Sequence, residues 1–407
     1  MELDSLSTGL QVLHDILVFS PWPSLRSLSI SRCELGRRGV AELAETDKLP
    51  MLRVLSVAQC KVTDLGVEAL AGSSQCSALT QLSLEHNQLT VKALPMLLGS
   101  PHLRGLRVLN LGGNGLGGTP SLEAVDEGNG GELRELGLQN TGLTPEGARL
   151  LAQSARLGNL ETLRLAGCDL GPDGVRWLMR AAWLGGLRSL YLDRNTLTHR
   201  GVRALTRSPA VAGLRTLHLN QNQLDHQSAQ MLAASPHLRH LTRLELGSNR
   251  LDAQAALALA SSPHLGHLKH LRLAHNRLGP QGVETLLGST GLNQLELLDL
   301  TDNRLSPYDA FVLKALPSES ALEVLKLNDN KLGDEGVRAL ASHPGYRQLR
   351  VLFLENNNIT DDGVRALTHS TTLQNLQHVA LASNPIGARA RRALQAVLAS
   401  RARTKEV

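Results

Sequence analysis

The apolar positions of the chain follow a fixed 27-residue period. The skeleton LxxLxLxxNxL, clearest from Leu214 to Leu224, returns without insertion or deletion. Its second leucine occurs first at Leu28, and the corresponding position occurs last at Val379, which makes fourteen copies. A period of about 20 to 50 residues is typical of stacked-repeat proteins. The pattern therefore predicts a stack of fourteen equal units.

Each unit is predicted to hold one short strand and one helix. The two leucines of Leu217-His218-Leu219 alternate with a polar residue, as on a strand with one buried face. The position after the strand is Asn in ten copies, Cys in three and Thr in one, and we expect these residues to form a buried ladder. Segment Asp361–Leu367 has acidic residues first and apolar residues at helical spacing, which favours a helix.

This skeleton with a helical return resembles the leucine-rich repeat over about residues 25–394. The segment Thr360–Leu367 is similar to the ribonuclease-inhibitor-like class, and the Ser-Pro-His-Leu loops at 100–103, 235–238 and 262–265 resemble large bacterial intracellular leucine-rich-repeat proteins. The resemblance implies an α/β fold, a right-handed leucine-rich-repeat solenoid (horseshoe) of fourteen 27-residue repeats. Its parallel β-sheet would form the concave face and its α-helices the convex face.

The repeats are predicted to fill residues 25–387 as one domain. Residues 1–24 carry apolar side chains at helical spacing, which predicts a helical cap, the back half of a repeat without its strand, or the remnant of a longer parent. Residues 388–407 predict a basic capping helix and tail, and their net charge of +5 equals that of the whole chain. Such a helix is also able to bind an anionic membrane, RNA or an acidic partner. The loop Asp126–Gly131 is expected to be mobile.

The cysteines and the N-terminus favour a cytoplasmic protein. Of four cysteines, three lie at the ladder position, and we expect buried reduced thiols even for Cys33 and Cys60, which are one repeat apart. The first residues lack the basic region of a signal peptide, and no apolar run is long enough to cross a membrane.

The sequence contains no motif for catalysis or cofactor binding. A P-loop, a dinucleotide fingerprint, a metal-binding cysteine pair and a nucleophile elbow are all absent, and the glycine-rich stretch Gly112–Gly118 falls at a strand-to-turn junction. We therefore expect no enzyme activity, no cofactor and no small-molecule substrate. Aromatic residues are 2% of the chain and none is interleaved in the basic C-terminal helix, which argues against nucleic-acid binding.

The candidate site is the outward row between the two strand leucines, together with the outward positions that follow it. The first five members of the row are small, whereas the next eight are large, charged or aromatic. Because core packing does not determine outward positions, we predict a protein partner on the concave face of repeats six to thirteen. The predicted contact residues are Arg164, Tyr191, Asp193, Arg194, His218, Glu245, Arg272, Asp299, Asp302, Lys326, Asp329, Phe353 and Glu355, with Arg164, Tyr191, His218, Arg272 and Phe353 as anchors.

Several alternatives stay open at this point. Glu245, Arg272, Asp299 and Lys326 alternate in sign, so they are also consistent with a solvated face whose charges pair across strands. The chain is also similar in repeat class to Ran GTPase-activating proteins, which implies a regulator of a GTPase. Here, however, a basic tail replaces their acidic one, and no catalytic arginine stands out. A structural element that assembles end to end is the third hypothesis, although we expect a monomer.

Overall fold

The computed structural model describes residues 2–4, 14, 22, 24–117 and 131–403, with two compact units. Unit 1 comprises residues 1–197 and 208–214, and unit 2 comprises residues 198–207 and 215–407. The predicted mobile loop lies outside the described residues except for Gly131, as does most of the predicted N-terminal helix.

Unit 1 contains a parallel sheet whose strands pair in sequence order with the predicted repeat offset. Leu28 is opposite Leu55, and Leu163 is opposite Leu190. Short helices follow the strands. The strands are β1 (Glu2–Asp4), β2 (Ser27–Ser31), β3 (Val54–Ala58), β4 (Gln81–Ser83), β5 (Val108–Asn110), β6 (Glu135–Gly137), β7 (Thr162–Arg164) and β8 (Ser189–Tyr191); the helices are α1 (Gly36–Glu45), α2 (Asp64–Gly72), α3 (Ala93–Gly99), α4 (Thr144–Gln153) and α5 (Gly171–Leu178).

Unit 2 repeats this arrangement with the same offset, and Leu244 is opposite Leu271. The α/β repeat fold is therefore confirmed in each unit. The strands are β9 (Thr216–His218), β10 (Arg243–Glu245), β11 (His270–Arg272), β12 (Leu297–Asp299), β13 (Val324–Lys326), β14 (Val351–Phe353) and β15 (His378–Ala380); the helices are α6 (Thr198–Arg207), α7 (His226–Ala233), α8 (Ala253–Ala260), α9 (Gly279–Leu287), α10 (Gly333–Ser342), α11 (Asp361–His369) and α12 (Ala388–Arg403).

The N-terminal segment contributes a strand that the sequence interpretation missed. Strand β1 pairs in parallel with β2, with Leu3 opposite Ile30. The interpretation of residues 1–24 as a repeat without its strand is thus wrong. Met1-Glu2-Leu3 carries the apolar alternation one full repeat before Leu28 and Ile30, but it is too short to stand out in the sequence.

One repeat of unit 2 replaces its α-helix with a 3-10 helix, Pro307–Ala315. The backbone carbonyl of Ser306 accepts the N–H of Asp309 at 3.0 Å, and the Asp309 carboxylate accepts the N–H and the hydroxyl of Ser306 at 2.8 and 2.6 Å. This segment leaves Tyr308 and Phe311 exposed. Helical periodicity predicts a helix here but does not distinguish the 3-10 form from the α form.

The predicted asparagine ladder holds the strand ends together. In unit 2, Nδ2 of Asn330 donates to the carbonyls of Leu300 (3.1 Å) and Leu327 (3.0 Å). Its Oδ1 accepts the N–H groups of Asn303 (3.1 Å) and Leu305 (3.2 Å) in the preceding repeat. Because a buried unpaired backbone group costs about 1–3 kcal/mol, each such asparagine stabilises two repeats at once.

The cysteines are buried free thiols, as predicted. The Sγ of Cys168 donates to the carbonyl of Leu138 at 2.9 Å, so a thiol supplies one of the bonds that asparagine supplies elsewhere. Burial raises the pKa of the Cys60 thiol to about 11. The neighbouring Cys33 is also a free thiol and forms no disulfide with it. Cys60 is therefore protonated and unreactive at neutral pH.

The residue before each ladder position adopts a left-handed backbone in all fourteen repeats, from Arg32 (φ 53°) to Ser383 (φ 57°). Only two of these residues are glycine, Gly113 and Gly167. The sharp turn at the end of the strand imposes this conformation, since the following side chain must point into the stack. Residue type reveals it only in part, because eight of the fourteen residues are Gly, Asn, Asp or His, which tolerate a positive φ, and the other six are Arg, Gln or Ser.

Candidate protein-interaction surface

The strand face of each unit consists of the side chains between the strand leucines and the outward side chains next to them. In unit 1 it begins with Ser29, Ser56 and Ser83, which are small and partly exposed. The alternation of the strands directs these side chains away from the leucine core. Between the strand leucines of unit 1, long side chains first appear at Arg164 on β7 and Tyr191 on β8.

A cation–π pair marks the end of the unit 1 strand face. The guanidinium of Arg164 lies over the ring of Tyr191, with its carbon 4.4 Å from the ring centroid. Nε of Arg164 also donates to Oε1 of Glu135 at 2.8 Å. Burial acts to lower the pKa of Arg164. The hydrogen bond to Glu135 and the negative charge of Glu135 outweigh this effect, so the pKa of Arg164 is raised overall. The guanidinium of Arg164 on β7 is therefore contacted from both neighbouring strands, by Glu135 on β6 and Tyr191 on β8, and Arg164 and Tyr191 are both partly exposed.

The other two predicted residues of unit 1 lie beside this pair. Asp193 is half-buried, and its carbonyl accepts the N–H of Gly167 at 2.8 Å. Arg194 is exposed and has a left-handed φ of 56°. Arg194 therefore belongs to the turn beyond the strand.

A buried carboxylate, that of Glu245, lies on β10, the second strand of the unit 2 strand face. Glu245 is only 3% exposed, and its Oε1 is 2.8 Å from Nη1 of Arg272 and 3.4 Å from Nε of Arg243. We expected packing to leave such outward positions undetermined, but here the neighbouring side chains cover the carboxylate. His218, the first residue of this face, is half-buried.

Asp299 is held in a similar way. It is 7% exposed, its Oδ1 accepts the N–H of Thr301 at 3.1 Å, and its Oδ2 is 3.9 Å from Nζ of Lys326. The alternating charges of this row therefore pair with each other in the free protein. Glu245 and Asp299 orient their cationic neighbours and present little surface of their own.

Lys326 and Phe353 form a second cation–π pair, in unit 2. Nζ of Lys326 is 5.0 Å from the ring centroid of Phe353. The same ring contacts His378 edge-on, with a centroid separation of 5.9 Å. Phe353 is partly exposed, so this pair offers an aromatic surface next to a positive charge.

Three carboxylates border this second pair on the turn side. Oδ2 of Asp302 is 3.1 Å from Nδ1 of His275, and the two form an ion pair when the imidazole is protonated. Asp329 accepts from the amide of Asn356 at 2.9 Å. Glu355 accepts from the amide of Asn328 at 3.0 Å. All three remain at least partly exposed, which makes the border acidic.

Several residues that shape this surface were not predicted. Glu135, Arg243 and His378 each precede the second apolar position of the skeleton by one residue, and they contact the predicted side chains directly. Their signal in the sequence is weak because the position also holds apolar residues such as Val324 and Val351. The spatial pairing becomes evident only when the strands of successive repeats lie side by side.

The described residues contain no group of three or more His, Cys, Asp or Glu side chains that could hold a metal ion. Within the described part of the chain, no helix has the length and apolar character needed to cross a membrane.

Seven segments match a family model described as "Leucine Rich repeat", namely residues 23–44, 48–71, 159–179, 237–260, 264–287, 321–341 and 347–367. Among solved structures, an internalin (inlF) from Listeria monocytogenes str. 4b F2365 is similar, with 22% identity and a TM-score of 0.51 over 82% of both chains. A TLR13–ssRNA13 complex is similar at 17% identity and a TM-score of 0.53.

That second match covers 95% of this chain and 55% of the TLR13 chain, so the protein spans about half the length of that chain. At these identities the likeness shows the fold alone. No curated protein matches this sequence.

Proposed function

The chain is a leucine-rich repeat protein, and from this premise we propose that it is a non-catalytic scaffold that binds a protein partner on its strand face. Stacked repeats present long continuous surfaces, and such surfaces are well suited to binding extended partners. The internalin and TLR13 structures support the fold and do not identify the partner. The proposal therefore depends on the side chains of this chain.

The two cation–π pairs are the observation that carries the proposal. Arg164 with Tyr191 in unit 1 and Lys326 with Phe353 in unit 2 are large, partly exposed and already ordered. Arginine and tyrosine are enriched among the residues that dominate binding energy at interfaces. Because these pairs are ordered in the free protein, little side-chain entropy is lost when a partner covers them.

The remaining predicted residues have supporting roles in this proposal. His218, Arg272, Asp193 and Arg194 extend the contact area, and the exposed carboxylates Asp302, Asp329 and Glu355 select a partner of complementary charge; Glu245 and Asp299 hold Arg272 and Lys326 in place. Charged side chains at the edge of an interface affect binding specificity and association rate more than they affect affinity.

We place this scaffold in the cytoplasm as a monomer. The four cysteines are buried free thiols, as is usual for proteins of a reducing compartment. We also propose that its repeats are of the ribonuclease-inhibitor-like class and that the protein is similar to large bacterial intracellular leucine-rich-repeat proteins. The described surface shows no feature that favours the GTPase-regulator or end-to-end assembly hypothesis over binding on the strand face.

Affinity capture from source lysate tests the proposal with the full chain and three variants. One variant carries Arg164→Ala and Tyr191→Ala, and one carries Lys326→Ala and Phe353→Ala. The matched control carries Ser56→Ala and Ser83→Ala, two substitutions on the small-residue part of the strand face. Far-ultraviolet circular dichroism and thermal unfolding first establish that all variants fold.

A single protein retained by the parent and by the serine control, but lost by either pair variant, would support the strand face of the unit concerned. Equal retention by all variants would place the contact elsewhere and contradict the proposal. Capture of nothing by the parent would also contradict it. Quantitative mass spectrometry of the retained proteins distinguishes these results.

A further inference from the structure

Four basic residues occupy one position in four consecutive repeats of unit 2: Arg250, Arg277, Arg304 and Lys331, here called the basic row. Each one directly follows a ladder asparagine and directly precedes a core leucine, and both of these neighbours are buried. All four basic side chains are exposed. The buried neighbours on either side leave each basic side chain only the solvent side of the turn.

Backbone hydrogen bonds hold the basic row in register. The N–H of Arg277 donates to the carbonyl of Leu251 at 2.8 Å, and the N–H of Lys331 donates to that of Leu305 at 3.0 Å. The N–H of Leu251 is itself bound by Oδ1 of Asn276, one repeat further, at 3.0 Å. The backbones of successive members of the basic row therefore lie about one strand separation, ~4.8 Å, apart.

A second row of charged residues in the same four repeats differs from the basic row. This second row lies five residues earlier in each repeat and consists of Glu245, Arg272, Asp299 and Lys326. Its charges alternate in sign and form ion pairs. The basic row does not alternate. Throughout the described part of the chain, no acidic side chain lies within ion-pair distance of Arg250, Arg277, Arg304 or Lys331.

The acids nearest in sequence form no ion pair with the basic row. Asp252, Asp302 and Asp329 each lie two residues from a member of the row. Their carboxylates contact other groups instead: Asp252 accepts the N–H of Ala255, Asp302 lies 3.1 Å from Nδ1 of His275, and Asp329 accepts from the amide of Asn356. Like charges on neighbouring strands repel each other. The free protein therefore carries a line of four cations whose mutual repulsion an anionic partner would relieve.

We infer that the basic row binds an acidic segment of a partner polypeptide. Alternate side chains of an extended peptide are about 6.6 Å apart, and the long stems of arginine and lysine can bridge the difference from the strand separation. The residues adjoining each member are asparagine and leucine, so the row offers no aromatic plane for stacking a base. A carboxylate-rich peptide fits this surface better than a nucleic acid does.

This inference does not rest on the proposed function, since the basic row lies on the turns beyond the strand face and uses different residues. The two proposals also have separate tests. Loss of the cation–π pairs removes the strand-face partner, whereas neutralisation of the basic row removes the acidic segment.

The test measures binding of a fluorescein-labelled oligoglutamate peptide to the full chain by fluorescence anisotropy at low and physiological salt. The test variant carries Arg250→Gln, Arg277→Gln, Arg304→Gln and Lys331→Gln. The control variant changes four other exposed arginines of unit 2 and so has the same net charge; its substitutions are Arg200→Gln, Arg203→Gln, Arg207→Gln and Arg215→Gln.

We expect the test variant to weaken binding by at least about tenfold at low salt and the control by less than about twofold. The salt dependence of affinity should also flatten in the test variant alone. Thermal unfolding gives a second readout. Removal of the repulsion should raise the melting temperature of the test variant at low salt, and the control should not show this rise.

Three results would overturn the inference. The first is failure of the parent to bind the peptide. The second is an equal loss in both variants, which would indicate a general effect of net charge. The third is tighter, row-dependent binding of a single-stranded oligothymidylate of equal charge, because this would assign the basic row to nucleic acid.

Discussion

The buried ladders of the two units differ in chemistry. In unit 2 every ladder position from Asn222 to Asn384 is asparagine, whereas unit 1 also uses Cys33, Cys60, Thr141 and Cys168. An asparagine both accepts N–H groups and donates to carbonyls, but a thiol contributes one weak donor. The comparison teaches that a compact polar side chain can occupy a ladder position, but that an asparagine is needed to accept N–H groups of the preceding repeat as well as donate to its carbonyl.

The largest expected effect comes from breaking the ladder in unit 2. Asn330→Ala removes the bonds to Leu300 and Leu327 and leaves the N–H groups of Asn303 and Leu305 buried without their acceptor. We expect the free energy of unfolding of this unit to fall by about 4 kcal/mol, since each orphaned group costs about 1–3 kcal/mol. Urea unfolding followed by circular dichroism measures the loss.

The exposed Asn293→Ala provides the control for this prediction and should change the free energy of unfolding by less than about 0.5 kcal/mol. A similar loss for Asn293→Ala and Asn330→Ala would show that burial of the ladder amide is not the cause.

The corresponding break in unit 1 should be milder. Cys168→Ala removes the thiol bond to the Leu138 carbonyl, but the N–H of Cys168 keeps its acceptor, Oδ1 of Asn195. We expect a loss of about 1–2 kcal/mol from one hydrogen bond and a small cavity. The same urea experiment measures it, and a loss equal to that of Asn330→Ala would remove the distinction between the two ladders.

Helix capping in unit 2 adds a pH-dependent contribution. Asp225 accepts both the N–H and the hydroxyl of Ser228 at the start of α7. Burial acts to raise the pKa of Asp225, but these bonds lower it overall. The cap therefore stabilises the fold fully above the ordinary aspartate pKa, and this stabilisation disappears as the pH falls through the lowered folded value.

Asp225→Ala should accordingly lower the free energy of unfolding by about 1 kcal/mol at neutral pH. The difference from the parent should shrink in acid, as measured by thermal unfolding across a pH series. A difference that stays constant down to strongly acidic pH would show that the ionised carboxylate is not responsible.

The smallest expected effects come from the left-handed turn, and they have opposite signs in the two units. Ser248→Gly in unit 2 should stabilise the fold by about 0.5 kcal/mol, because φ is 54° at this serine. Gly167→Ala in unit 1 should destabilise it, since φ is 65° and the new Cβ would lie 2.3 Å from Oδ1 of Asn140. Chemical denaturation of both variants checks the signs, and a destabilised Ser248→Gly would contradict this explanation.

The sequence by itself determines the repeat. The leucine alternation and the 27-residue period predict the strands from Ser27 to Ala380, the ladder and the buried thiols, because each feature depends on residues a few positions apart. The outward positions of the candidate surface follow from the same alternation. What each outward side chain contacts does not follow from it.

The tertiary structure decides the surface chemistry. Glu245 is buried because Arg243 and Arg272 cover it, and Arg164 is ordered because Glu135 and Tyr191 lie on the adjacent strands. Contact with the next repeat determines how far such a side chain is buried, how it is oriented and which charge it pairs with. The local pattern of apolar and polar residues does not encode this contact.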